Sequence, residues 1–266
     1  MILYKYYSDA KYNFEALLNE NFFFSKTCKL NDPFDASFQL VKPYKLFLEH
    51  IKEHLHPEAE NIMGNYGTCS FSEQADNKHL WALYANSYKG FVIGYDKEQL
   101  EKIAEVVEAP CPLRPVEYVD ALLNLDDLEA TFKAFTHGEE TTYPIRECFR
   151  DSKIMDKLWE YLCFVKEKKI WSNEQEWRLF AGSHITQQRR DNVKKLENGY
   201  LLPIPQHAIK EVIIGHNMDY RNIPFICNIA HKYEVEHIGQ TQPNTDEKDF
   251  SIKLIDALNL CKYKRK

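Results

Sequence analysis

Glycine is scarce in this sequence, with 9 residues of 266, and these nine are scattered along the chain. Neither G-x-G-x-x-G nor G-x-x-x-x-G-K-[ST] occurs. Such glycine-rich loops hold phosphate groups in Rossmann dinucleotide-binding folds and in P-loop NTPases. The sequence therefore excludes both of these large enzyme classes.

Cysteine pairs and long apolar runs are absent as well. The seven cysteines include no C-x-x-C, so the sequence indicates neither a zinc ribbon nor a thioredoxin-like site. Every apolar run is far shorter than the ~20 residues that a membrane-spanning helix needs. The first ten residues, MILYKYYSDA, are typical of a strand and not of a signal peptide. We therefore expect a cytoplasmic protein with reduced thiols and no membrane contact.

Positive charge is not in excess either. Forty acidic residues against 34 basic ones give a net charge of −6, and the isoelectric point is near 6.0. Nucleic acid would therefore have to bind to a local patch, because no basic field covers the whole chain. The basic stretches are Arg189-Arg190, Lys194-Lys195 and the tail Lys262–Lys266, and we expect the tail to be a frayed terminus.

One segment has the spacing of a zinc site. His50–His54 reads HIKEH and formally satisfies H-x-x-E-H, which places two imidazoles on one face of a helix. The segment is rich in lysine and glutamate, and no distant acidic motif stands out as a third ligand. We therefore predict solvated histidines and no metal.

The chain is rich in aromatic residues, with 16 Tyr, 16 Phe and four Trp, and its predicted strands bracket a helical middle. A first helix ends at Leu18 and begins at a cap supplied by Asp9 or Asn13, and a long helix is predicted over Arg146–Lys169. Strands on either side of a helical middle are typical of an α+β fold. We predict a single domain over residues 1–266, with a mostly helical insertion at residues 98–170. The predicted strands are Ile2–Tyr7, Phe22–Ser25, Gly67–Phe71, Gly90–Tyr95, Trp177–Ala181, Tyr200–Ile204, Glu211–Ile214, Val235–Ile238 and Phe250–Ile255.

A carboxylate pattern lies at the start of the strand near Trp177. If the strand begins a few residues earlier, its period of two places Glu174, Glu176 and Arg178 on one face. Two like charges at this spacing suit a cleft wall that stabilises a cation or accepts a proton. The alternative is an exposed strand with an ordinary ladder of salt bridges.

A second cluster combines hydroxyl and aromatic side chains. The segment Gly67–Ser72 reads GTCSFS and ends in serines, and a helix with Trp81 and Tyr84 follows. At this i,i+3 spacing the two rings share a helix face and form a clamp for a flat ligand. The alternative is ordinary packing of aromatic rings in the core.

Several short segments, taken together and in order, resemble a bacterial domain-of-unknown-function family, the one numbered 2971. The resemblance spans most of the chain from Leu3 to Gly215, and the family name carries no activity. The segments are Leu3–Tyr6 (LYKY), Leu30–Asp35 (LNDPFD), Cys69–Glu73 (CSFSE), Leu80–Ala85 (LWALYA), Lys89–Asp96 (KGFVIGYD) and Trp171–Arg178 (WSNEQEWR).

The order of these elements also resembles the ADP-ribosyltransferase superfamily. That resemblance implies a mixed or antiparallel split β-sheet core and NAD as a substrate. It places Glu176 as the catalytic glutamate, with Glu174 two residues earlier as in the ExE variants. Tyr7 and Leu83 depart from the arginine and histidine that the family of unknown function usually has there. The residues that the resemblance assigns to NAD are Tyr4, Lys5, Tyr6, Ser70, Phe71, Ser72, Trp81, Tyr84 and Arg178.

The resemblance implies transfer of ADP-ribose to a macromolecular acceptor, either protein or nucleic acid. A toxin or phage-defence effector with a neutralising partner is the expected setting. Three alternatives stay open: an NAD glycohydrolase, a binding module for a nucleotide or a partner, and a nuclease that uses Asp32 and Asp35. A catalytic Glu176 has to open onto a cleft opposite Ser70 and Tyr84, whereas pairing with Arg178 favours the binding module.

Overall fold

The computed structural model describes residues 1–42, 64–124, 159–235, 237–243 and 252–257. The strands are β1 (Ile2–Tyr7), β2 (Asn21–Lys26), β3 (Val41–Lys42), β4 (Gly67–Ser72), β5 (Phe91–Asp96), β6 (Leu113–Pro115), β7 (Glu117–Val119), β8 (Leu123–Asn124), β9 (Val165–Glu167), β10 (Glu176–Ala181), β11 (Lys194–Lys195), β12 (Gly199–Pro203), β13 (Ile209–Ile214), β14 (His237–Pro243) and β15 (Ile252–Asp256). The helices are α1 (Lys11–Leu18), α2 (Lys78–Leu83), α3 (Lys97–Glu101), α4 (Ile103–Val106), α5 (Lys168–Trp171), α6 (Ser183–Thr186) and α7 (Ile223–Lys232).

Eleven of these strands form one open, mostly antiparallel sheet in a single mixed α/β domain. Its order is β11-β12-β2-β4-β1-β5-β13-β14-β15, and β10 and β6 continue from β4 on a branch. β13 and β14 are parallel, and the other pairs within this sheet are antiparallel. Two small parallel pairs, β3 with β8 and β7 with β9, lie outside it.

The sheet divides at β4. One edge of this strand pairs with β10 along its whole length. On the other edge β2 pairs with Gly67 and Thr68, and β1 pairs with Ser72. Among the described strands, none pairs with residues 69–71 on that edge, so β1 and β2 diverge on either side of a gap.

Aromatic side chains fill much of the core. α1 packs against α7 and β2, and the ring of Phe14 stacks on Phe91 at 4.9 Å between centroids. Phe22 and Tyr95 lie 5.2 Å apart, and all of these rings are buried. Burial of each such side chain contributes about 1.5–3 kcal/mol to the stability of the fold. These aromatic residues therefore stabilise the core and are not ligand contacts.

Two local predictions differ from the structure. The cap of α1 is Ala10, with no side-chain hydrogen bond, and Asn13 instead donates to Ser8. The predicted helix Arg146–Lys169 is wrong at its end, because β9 and α5 lie there; its residues 146–158 lie outside the described part of the chain.

Other sequence features also fall partly outside the described residues. In the segment 98–170 the described residues alternate between short helices and short strands. The H-x-x-E-H segment and the basic tail are not among the described residues. Within the described ranges, no helix has the length and apolar character needed to cross a membrane.

Candidate functional site

A cavity of about 480 Å³ lies at the division of the sheet. Its floor is the middle of β4, and the adjoining walls come from β1, β2 and β10. Ten of the eleven predicted site residues line it: Tyr4, Lys5, Tyr6, Ser70, Phe71, Ser72, Tyr84, Glu174, Glu176 and Arg178. The fold thus brings together residues that are up to 174 positions apart in the sequence.

Arg178 is buried beneath the cavity and uses all of its hydrogen-bond donors within the protein. Nε and one Nη2 proton bind the two oxygens of Glu176 at 2.7 and 2.9 Å. Nη1 and Nη2 bind the two oxygens of Asp35 at 2.5 and 2.7 Å. The second Nη1 proton goes to the backbone carbonyl of Cys163 at 2.7 Å. Because a guanidinium has five N–H groups, Arg178 has none left for a ligand, and its predicted contact with NAD is unsupported.

Both Arg178 and Lys166 donate hydrogen bonds to the carboxylate of Glu176. Its Oε2 accepts from Arg178 and also from Lys166, at 3.0 Å. Burial alone raises the pKa of this carboxyl, but Arg178, Lys166 and the Ser70 hydroxyl outweigh burial and lower the pKa to about 2. Glu176 is therefore a permanently ionised structural anion at neutral pH.

Lys166 lies among three carboxylates. Its Nζ is 2.7 Å from Oε2 of Glu174, 3.0 Å from Oε2 of Glu176 and 3.9 Å from Oδ2 of Asp35. Burial lowers the pKa of this ammonium, but the three carboxylates reverse that effect and raise the pKa above its ordinary value. A lysine in this state stays protonated, so it acts as neither a nucleophile nor a base. We call these five residues, Asp35, Lys166, Glu174, Glu176 and Arg178, the ion network.

Glu174 differs from the predicted strand position. It ends a 3-10 turn at Ser172–Glu174, and Gln175 follows in the left-handed region with φ 44°. β10 begins only at Glu176, so the predicted period of two does not include Glu174. The turn nevertheless directs the Glu174 carboxylate back into the cavity, and the Ser72 hydroxyl fixes its backbone carbonyl at 2.6 Å.

The Glu174 carboxylate has fewer partners than that of Glu176. Oε2 accepts from Lys166, and Oε1 lies 3.5 Å from the hydroxyl of Tyr84. Burial raises the pKa of Glu174 and Lys166 opposes this effect. Burial and the nearby Glu174 together raise the pKa of Tyr84 to about 12, so its hydroxyl is a neutral donor. The contact on Oε1 of Glu174, at 3.5 Å, is longer than the hydrogen bonds of 2.5 to 3.0 Å on the other carboxylate oxygens of the ion network.

Lys5 occupies the gap in the sheet. Its Nζ donates to the backbone carbonyl of Ser70 at 3.4 Å and lies over the rings of Tyr7 and Phe71, 5.6 and 5.7 Å from their centroids. No ion pair of Lys5 occurs among the described residues. The hydroxyl of Tyr6, in contrast, is held by the carbonyl of Gln74 at 2.6 Å.

Trp81 is the predicted site residue that does not line the cavity. Its indole is fully buried, donates to the carbonyl of Ala75 at 2.8 Å, stacks on Tyr88 and meets Tyr6 edge-on. The helix α2 ends at Leu83, so Tyr84 turns to the cavity while Trp81 remains in the core. The predicted aromatic clamp therefore reduces to Tyr84, and the core-packing alternative holds for Trp81.

Comparison with known proteins yields one match. Residues 80–179 match a family of unknown function. The family is described as a protein of unknown function (DUF2971), and the matched segment is less than half of the chain. It includes Tyr84, Lys166, Glu174, Glu176 and Arg178. The match supports the resemblance to this family and carries no activity. No curated protein and no solved structure matches the chain.

Two members of the ion network are not among the predicted residues of the NAD site. Asp35 is named only for the alternative nuclease, and Lys166 lies within the predicted helix Arg146–Lys169. The motif Leu30–Asp35 in the family resemblance was the available signal for Asp35, whereas Lys166 had none, because its position depends on pairing of β9 with β7. Within the described ranges, no group of three or more His, Cys, Asp or Glu side chains is arranged to hold a metal ion.

Proposed function

We propose that the cavity binds NAD and that the protein transfers ADP-ribose to a macromolecular acceptor, with Glu174 as the catalytic residue. The observation that carries this proposal is the Glu174 carboxylate, which faces a cavity lined by hydroxyl and aromatic side chains while its neighbour Glu176 is saturated by cations. The resemblance to the ADP-ribosyltransferase superfamily named Glu176, and the hydrogen bonds favour Glu174 instead.

The shape of the site supports a dinucleotide ligand. The cavity follows β4 from Thr68 to Ser72, about 13 Å at the usual rise of a strand. Tyr4, Tyr84 and Phe71 are aromatic residues that line the cavity, and aromatic rings stack on flat ligand rings. The cavity also lies at the gap of a divided sheet and lacks a glycine-rich loop, as the superfamily resemblance implies.

The chemistry of the proposed reaction suits Glu174. The bond between ribose C1′ and the nicotinamide nitrogen breaks, and its electron pair leaves with neutral nicotinamide. The sugar then has oxocarbenium character, which a nearby carboxylate stabilises. A lone pair of the acceptor forms the new bond at C1′, and the acceptor's proton is released to solvent. Glu174 accepts a hydrogen bond from a ribose hydroxyl through Oε1 and holds the sugar in place.

Exposed apolar side chains at the cavity or next in sequence to its lining residues support a protein acceptor. Tyr12 itself lines the cavity and is 65 % exposed, and Phe34, Leu83 and Ile170 each precede a lining residue and are 40 to 61 % exposed. Exposed apolar side chains are typical of surfaces that contact another protein. Contact with nucleic acid would require a cationic rim instead.

A binding module without turnover is the second candidate function. The saturation of Glu176 by Arg178 and Lys166 favours it, because the residue named by the superfamily resemblance is not free to react. On this hypothesis the cavity holds a nucleotide and the ion network serves only to fix its walls.

The decisive experiment measures NAD consumption by the wild type and by Glu174→Gln, in buffer and in cell extract. A matched control is Glu15→Gln, which removes an exposed carboxylate from the helical pair with Lys11. NAD labelled in its adenylate phosphate identifies the acceptor by digestion of the product with protease or nuclease. We expect extract-dependent, protease-sensitive labelling that falls about 100-fold or more in Glu174→Gln and is unchanged in Glu15→Gln.

The other outcomes separate the alternatives. Consumption of NAD in buffer alone identifies a glycohydrolase. Thermal stabilisation by NAD without consumption identifies a binding module. Full activity of Glu174→Gln contradicts the assignment of Glu174, and neither consumption nor stabilisation in any preparation contradicts the choice of NAD as the ligand.

A further inference from the structure

Lys166 has a special position among the charged groups of the ion network, because it contacts every carboxylate in it. Its Nζ donates hydrogen bonds to Glu174 at 2.7 Å and to Glu176 at 3.0 Å, and it lies 3.9 Å from Oδ2 of Asp35. The indole of Trp171 covers the ammonium at 4.4 Å from the ring centroid. The side chain of Lys166 is 5 % exposed, so its ammonium is enclosed by these groups.

Secondary structure fixes this lysine rigidly. β9 pairs in parallel with β7, and this pairing places Lys166 beside Tyr118. The Tyr118 hydroxyl accepts the backbone N–H of Glu176 at 2.9 Å. The carbonyl of Cys163, three residues before Lys166, accepts from Arg178. Two neighbouring strands therefore bind the start of β10 through both backbone and side chain.

The charges around Glu174 come from several elements. Lys166 on β9 and Arg178 on β10 favour its ionised form, whereas Glu176 disfavours it. The neutral hydroxyls of Tyr84 and Tyr118 lie near it as well, and Asp35 is reached through Lys166. Since Arg178 bonds to Asp35 and Glu176, Lys166 is the cation that Glu174 contacts directly.

We propose that Lys166 is a positioning residue, which holds Oε2 of Glu174 so that this carboxylate stays ionised with Oε1 turned toward Tyr84 and the cavity. This inference rests on the proposed function for its role in catalysis, but its structural content is independent of NAD. Without Lys166, Glu174 is a buried carboxyl beside the anion Glu176, and its neutral form is favoured. A neutral carboxyl does not stabilise an oxocarbenium ion.

The test compares Lys166→Met and Lys166→Arg with the control Lys168→Met, which removes an exposed lysine that pairs with Asp120 at 3.2 Å. The titration of Glu174 is followed by NMR of carboxyl carbons in protein labelled at glutamate, and its signal is assigned by its loss in Glu174→Gln. We expect the midpoint for Glu174 to rise by about 1 to 3 pH units in Lys166→Met. In Lys166→Arg the midpoint stays close to that of the wild type, and Lys168→Met leaves it unchanged.

A second measurement covers the case in which Lys166→Met does not fold. In the wild type at neutral pH, a coupling across the hydrogen bond between Nζ of Lys166 and the carboxyl carbon of Glu174 is expected. An unchanged titration of Glu174 in Lys166→Met, or absence of that coupling in the wild type, overturns the proposal. If NAD turnover exists, the acid limb of its pH profile moves upward in Lys166→Met in parallel with the titration. If no preparation consumes NAD while the NMR results hold, the proposed function fails and the placement of Lys166 stands.

Discussion

Glu174 and Glu176 are two residues apart and face the same cavity, but their surroundings differ. Glu176 lies at the start of β10. Its Oε1 accepts a hydrogen bond from Arg178, and its Oε2 accepts one from Arg178 and one from Lys166. Glu174 ends a 3-10 turn, gives one oxygen to Lys166 and directs the other toward Tyr84. Their pKa values accordingly move in opposite directions, down for Glu176 and up for Glu174.

The difference shows how one sequence motif supplies two carboxylates with different surroundings. Gln175, between the two glutamates, adopts a left-handed conformation, which few residues other than glycine adopt readily. This kink takes Glu174 off the strand and gives it a different set of neighbours from Glu176. A carboxylate whose oxygens are all held by cations fixes a wall, whereas Glu174 holds Oε1 only through the 3.5 Å contact with Tyr84.

The largest loss of stability is expected for Arg178→Met. The substitution leaves Asp35 and Glu176 buried without their bidentate partner. Loss of one member of a buried ion pair costs about 3–5 kcal/mol. We expect a lower free energy of unfolding by this amount in urea denaturation followed by tryptophan fluorescence. The matched control is Arg221→Met, which breaks an exposed pair with Asp219 and should leave the free energy of unfolding nearly unchanged.

Acid should weaken the ion network by protonating Glu176. The pKa of Glu176 is about 2 in the folded protein, against 4.5 for an ordinary glutamate. A carboxyl whose pKa is lower in the folded state stabilises the protein above its unfolded pKa and loses this contribution as the pH falls. We expect the stability difference between the wild type and Glu176→Gln to shrink between about pH 4.5 and pH 2. A difference that stays constant over this range would contradict the assignment of Glu176 as the buried anion.

Much of the fold was predictable, because its strands carry clear local patterns. β1, β2, β4, β5 and β13 lie where alternating or continuous apolar runs predicted them. The short strands β6, β7 and β9 were not predicted, since two or three residues carry too little periodic signal. Their pairing depends on contacts across long stretches of sequence.

The site was predictable as a set of residues but not as a set of roles. Ten predicted residues line one cavity because the segments with polar and aromatic residues meet where β1 and β2 separate at β4. Local spacing shows which side chains share an element, whereas donor saturation of Arg178 depends on Asp35, 143 positions away. The left-handed Gln175 has no sequence signal either, so the roles of Glu174 and Glu176 could not be separated.

The smallest effect on stability is expected for Glu174→Gln, and this variant tests directly whether Glu174 and Glu176 differ in their contribution to the fold. The pKa of Glu174 is raised, which means that the fold disfavours its charge, so a neutral amide of the same shape costs little. Lys166 retains Glu176 and Asp35 as partners. In urea denaturation at neutral pH we expect a change of less than about 1 kcal/mol for Glu174→Gln and a loss of about 3 kcal/mol or more for Glu176→Gln. Equal losses in the two variants would mean that both carboxylates stabilise the fold to the same extent. Oε1 of Glu174 would then not be available to a ligand.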